Sequence, residues 1–84
     1  MKSIGSRRFW SLYIGLPSPI RALADKNYRL WLANPGHPSL QFKPISGDLW
    51  SVRIGAHYRA VGKFRDPNTF VWMWIGAHGD YDKF

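Results

Sequence analysis

Along the first third of the chain the apolar residues keep a helical period. Phe9, Leu12, Tyr13 and Leu16 recur at the i, i+3, i+4, i+7 spacing of one helix face. Ser6 stands where a cap would accept a backbone N–H. The helix should stop near Leu16-Pro17, because proline bars its predecessor from helical geometry. Ser18 predicts a second cap, with Pro19 at the first helical position, where a missing N–H costs nothing. Ile20, Leu23, Ala24 and Trp31 then form an apolar stripe while Arg21, Asp25 and Arg29 face outward, and Asn34-Pro35-Gly36 ends the helix. The pattern predicts an αα-hairpin with a short, stiff turn.

After Pro38 the period changes to alternation. Leu40 to Ile45 reads as a strand with Leu40 and Phe42 inward and Gln41 and Lys43 outward. Trp50 to Ile54, Tyr58 to Phe64 and Phe70 to Ile75 follow, with turn chemistry at Ser46-Gly47-Asp48 and Asp66-Pro67-Asn68. Short connections make consecutive strands antiparallel. The expected fold class is α+β, an N-terminal αα-hairpin packed on one face of a three- to four-stranded antiparallel sheet, in a single domain spanning 1–84.

Polarity selects the register of the central hairpin. A two-residue loop, Gly55-Ala56, would mix apolar and charged groups on both faces. A loop of Gly55-Ala56-His57 instead gathers Val52, Ile54, Tyr58 and Ala60 on one face and Ser51, Arg53 and Arg59 on the other. Arg53 and Arg59 then become cross-strand neighbours, a like-charge pair that costs about 0.2–1 kcal/mol. Such a conflict between local cost and global pattern points to function. A four-residue loop, Asp66 to Thr69, would set Ala60 opposite Ile75 and Val61 opposite Trp74, with Trp72 and Trp74 on the basic face near Lys63. The competing arrangement buries both tryptophans in the core.

Composition narrows the function classes. The 84 residues carry 12 Lys and Arg against 5 Asp and Glu, a net charge of +7, and no cysteine. Disulfides and thiolate metal sites are excluded, so the five Trp, four Tyr and five Phe must supply much of the core. Phe9, Trp31, Phe42 and Trp50 are assigned to it. No apolar run reaches the length of a membrane span and the basic N-terminus leads into no signal core, so a cytoplasmic protein without membrane contact is expected. The charge calls for an anionic partner. Arginine and lysine interleaved with aromatics suit single-stranded nucleic acid, which needs both phosphate neutralisation and stacking surface.

The densest polar cluster closes the chain. His78 is its general acid/base candidate, Tyr81 can donate a proton or stack on a base, and Asp80 could orient the imidazole. The same residues also read as a solvated tail. His78, Asp80 and Asp82 make a poor metal site, lacking a second fixed ligand element, and no metal or cofactor is expected. No serine lies in an elbow or beside a paired base.

Several segments together resemble the RelE/ParE-type bacterial toxin superfamily, the toxin halves of type II toxin–antitoxin operons. Arg8-Phe9-Trp10 with Leu16-Pro17 is similar to its opening helix, and Asn34 to Lys43 to the junction into the sheet. Trp50-Ser51-Val52-Arg53-Ile54-Gly55 with Tyr58-Arg59-Ala60-Val61-Gly62 resembles its central hairpin, and Trp72 to His78 with Asp80-Tyr81-Asp82-Lys83 its close. The resemblance implies a RelE-like fold and a cognate antitoxin, with operator DNA bound only through the antitoxin complex. It further implies either a metal-independent, ribosome-dependent mRNA endoribonuclease (an mRNA interferase that inhibits translation) or a ParE-like toxin that binds DNA gyrase without catalysis. A degenerate module that binds only its antitoxin is the third alternative.

Carried over residue by residue, Arg53 and Arg59 match basic positions near the scissile phosphate. His78 falls where members place Arg or His, and Tyr81 matches a late aromatic. Catalytic roles are thus expected at Arg53, Arg59, His78 and Tyr81, and RNA binding at Lys43, Lys63, Trp74 and Asp80. Two departures accompany the match. The chain stops at Phe84, short of the terminal helix that many members carry, which would leave apolar surface exposed. The first strand of longer members is expected to be vestigial at Lys2 to Gly5.

Overall fold

The structure, a computed structural model, describes residues 2–81. In chain order it comprises β1 (Lys2–Gly5), α1 (Arg7–Ile14), α2 (Ser18–Ala33), a 3-10 turn (Pro38–Leu40), β2 (Lys43–Ser46), β3 (Leu49–Ile54), β4 (Tyr58–Asp66), β5 (Thr69–Ala77) and a single-turn α3 (His78–Tyr81). The sheet runs β1-β5-β4-β3-β2, with β1 parallel to β5 and the other pairs antiparallel. The α+β class and the helical hairpin on one face are as expected; the strand count is five. Lys2 to Gly5 is no vestige, since Lys2 to Gly5 pairs with Thr69 to Trp72 throughout. Four residues with an exposed Ile4 carry too little apolar pattern to announce a strand.

Ser6 caps α1 by accepting the Phe9 N–H at 3.1 Å. The second cap is displaced by one residue. Pro17, not Ser18, occupies the cap position of α2, because its carbonyl accepts the first helical bonds from Ile20 and Arg21, and Ser18 is already helical. Trp31 and Leu40 are fully buried at the centre of the core. The Trp31 ring lies 5.7, 5.3 and 5.1 Å from those of Phe42, Phe70 and Trp72, spacings that add about 0.5–1.5 kcal/mol per pair to area burial.

The expected strand from Leu40 to Ile45 begins only at Lys43. Pro38 to Leu40 forms a 3-10 turn instead, and Gln41 takes a left-handed conformation with φ 46°. Leu40 and Phe42 still reach the core, through this reversal and not by strand alternation.

The central hairpin has the register that polarity selects. Ile54 faces Tyr58, Arg53 faces Arg59 and Val52 faces Ala60, with Gly55 at φ 62° in the loop. In the last hairpin Ala60 faces Ile75 and Val61 faces Trp74 as expected, but Gly62 then faces Trp72. Met73 is the extra residue of a bulge, and Arg65 compensates near the turn. The bulge corrects the placement of the tryptophans. Trp72 joins the helix-covered core, whereas Trp74 stays on the opposite face beside Arg59's row.

Candidate active site on the open sheet face

Strand alternation sends two rows of side chains to the face that α1 and α2 leave uncovered. One row runs Lys43, Ser51, Val61, Trp74 across β2 to β5; the next runs Arg53, Arg59, Gly76. The chain then turns at the end of β5 into α3, which folds back over this face. The His78 N–H donates to the His57 carbonyl at 2.7 Å, tying α3 to the loop of the central hairpin.

Arg59 is the centre of the site and is only 6% exposed. Its Nε and Nη2 donate to Ser51 Oγ at 3.3 and 2.9 Å. Nη1 donates to Gln41 Oε1 at 3.4 Å and Nη2 to the Gln41 carbonyl at 3.3 Å. The left-handed backbone at Gln41 lets one residue offer both acceptors. Tyr81 closes the other side, its ring centroid 5.1 Å from the guanidinium carbon, a cation–π contact. Burial lowers the Arg59 pKa, the Arg53 charge lowers it further, and Tyr81 opposes both. Guanidinium remains cationic at working pH even so.

The other expected site residues distribute as follows. Tyr81 Oη lies 3.2 Å from Ser51 Oγ, and the His78 ring lies 5.5 Å from the Tyr81 ring. Arg59, Ser51, Tyr81 and His78 therefore form one contiguous set. Arg53, half-buried, directs Nε to the Gly55 carbonyl at 2.8 Å, along its own strand. Asp80 is exposed on α3 and Lys43 is exposed at the β2 edge of the same face. Lys63 faces Leu49 and Val71, four residues from Arg59 and so roughly 13 Å along the strand. Trp74 is 7% exposed and its ring lies over Gly76, where an added Cβ would come within 2.6 Å of it. Asp82, weighed as a metal ligand, lies outside the described residues.

Ser51 and Gln41 are the site residues that sequence reasoning passed over. Polarity puts Ser51 on the arginine face, and a small hydroxyl beside the arginine pair is the signal that it would hold one of them. Gln41 carried no such signal, because glutamine has no special liking for the left-handed region.

The set brings a cation, a phenol and an imidazole side by side on one face of the sheet, group types that phosphoryl chemistry can use.

No protein-family model matches the sequence, and no curated protein matches it. Solved structures do. The YoeB/ParE toxin from Agrobacterium tumefaciens superimposes with a TM-score of 0.72 at 19% identity, covering 93% of this chain and 99% of that one. A RelB-RelE antitoxin-toxin complex from Methanococcus jannaschii gives 0.74 at 16% identity, over 96% and 98%. The isolated E. coli RelE toxin gives 0.68 at 16% identity, over 98% and 92%. The chain has the fold of the RelE/ParE-type toxins.

Proposed function

We propose that this chain is the toxin of a type II toxin–antitoxin pair and acts as a ribosome-dependent mRNA endoribonuclease. The observation that carries the reading is Arg53 set opposite Arg59 on the open face, with Tyr81 packed on Arg59 and His78 beside Tyr81. A fold kept for stability alone would avoid that pair.

In the reaction, a ribose 2′-oxygen attacks its own 3′-phosphorus. The new P–O2′ bond forms as the P–O5′ bond breaks, leaving a 2′,3′-cyclic phosphate and a 5′-hydroxyl. Arg59 and Arg53 stabilise the charge that grows on the phosphoryl oxygens, with Lys43 or Lys63 along the strand path. His78 or Tyr81 delivers the proton to the departing 5′-oxygen, and Asp80 is the candidate to take the proton from the 2′-hydroxyl. The mechanism uses no metal ion. Alignment of the mRNA by the ribosome supplies much of the rate, so cleavage of naked RNA is expected to be weak.

Arg59's hydrogen bonds to Ser51 and Gln41 favour a second reading, in which the cation shapes a surface and cuts nothing. That reading corresponds to a toxin that grips DNA gyrase. Induced expression separates the two. Mapped mRNA ends should show new cuts with the wild type and none with Arg59→Ala or His78→Ala. DNA damage with intact mRNA would establish the gyrase reading instead.

A further inference from the structure

A cationic groove lies around the edge of the sheet from the site. An open groove between α2, the 3-10 turn and the β3–β4 loop is lined by Lys26, His37, Ser39, Arg53 and Gly55. No carboxylate lines it among the described residues. Its walls are fixed. Asn27 Nδ2 donates to the Arg53 carbonyl at 3.0 Å, and Gly55 approaches so closely that an added Cβ would lie 2.6 Å from Leu23. His37 Nδ1 accepts the Ser39 backbone N–H at 3.2 Å, which leaves Nε2 as the ring's donor. Arg53 commits its Nε to Gly55, leaving the planar end of the guanidinium for another acceptor. Arg53 also belongs to both places, as the cross-strand neighbour of Arg59 and as a wall of the groove.

We propose that this groove binds a backbone phosphate of the same RNA strand, flanking the one held at Arg59, with Arg53 bridging the two and Lys26 and His37 as the outer donors. The inference rests on the RNA reading of the site. It assigns a function to α2 and the 3-10 turn that the reaction itself does not need.

The test measures binding, which separates it from cleavage. Fluorescence anisotropy of a labelled, cleavage-resistant 2′-O-methyl oligoribonucleotide is followed against salt with the purified full-length chain. Lys26→Gln, at an exposed helix position, should make the slope of log K against log salt shallower by about 0.7–1, the loss of one phosphate contact. His37→Ala should weaken binding in the same assay. Lys2→Gln, on the opposite edge strand, removes the same charge and should leave the slope unchanged. An equal effect of Lys26→Gln and Lys2→Gln, or none from Lys26→Gln, overturns the groove while leaving cleavage standing. Failure of the wild type to bind the oligonucleotide at any salt overturns the groove, whereas the RNA reading itself falls only if mRNA on ribosomes stays uncut.

Discussion

Arg59 carries a cost that its surroundings only partly repay. A buried guanidinium must be fully hydrogen-bonded, and here Ser51 and Gln41 supply the acceptors while Arg53 adds repulsion. Replacing the cation by a long apolar side chain removes the desolvation cost and the repulsion at once. Arg59→Met should therefore abolish cleavage yet shift unfolding free energy by no more than about 1 kcal/mol. Ser51→Ala behaves in the opposite way, because it strands Arg59's donors, and should cost about 1.5–3 kcal/mol in urea denaturation. At this scale the sequence was partly legible. The arginine pair followed from polarity alone, whereas Gln41's role depends on a left-handed turn that its residue type does not signal.

Among the elements, the last hairpin decides which tryptophan serves the core. With strict alternation Trp72 and Trp74 would share a face; the Met73 bulge separates them. Gly62 makes this possible, since a Cβ there would lie 2.4 Å from the Val71 carbonyl and 2.5 Å from the Phe70 ring. Gly62→Ala should accordingly cost about 3 kcal/mol, read from the same denaturation curves. The central hairpin was legible because one register segregates polarity and the other does not. The bulge was not legible, because one unpaired residue in an alternating apolar run leaves no mark in the pattern of residue types. The helix pair offers a pH test. Tyr13 Oη donates to Asp25 Oδ1 at 2.7 Å, and this bond, with a smaller contribution from burial, raises the Tyr13 pKa. The neutral phenol is the stabilising form, so its contribution is complete below the unfolded value near 10 and lost as pH rises through the raised folded value. The stability advantage of wild type over Tyr13→Phe should hold up to about pH 10 and disappear above it.

For the molecule as a whole, cations lie on both sides of the sheet. The open side holds Arg53, Arg59, Lys43 and Lys63, and the helices hold Arg7, Arg8, Arg21, Lys26 and Arg29. The helical side also exposes Trp10, Ile14, Tyr28 and Leu32, with Trp10 at 50% and Ile14 at 69%. Under the proposed toxin reading, an antitoxin expressed from the adjacent frame should copurify with the chain, and Trp10→Ser or Ile14→Ser on the exposed helical side should weaken that copurification.

The most direct test of the central claim uses purified ribosomes carrying an mRNA with a defined codon in the decoding site. The wild-type chain should cut within that codon, leaving a 5′-hydroxyl and a 2′,3′-cyclic phosphate, and Arg59→Ala should lower the rate about 100-fold or more. Intact mRNA on those ribosomes, with gyrase supercoiling blocked by the same preparation, would contradict it.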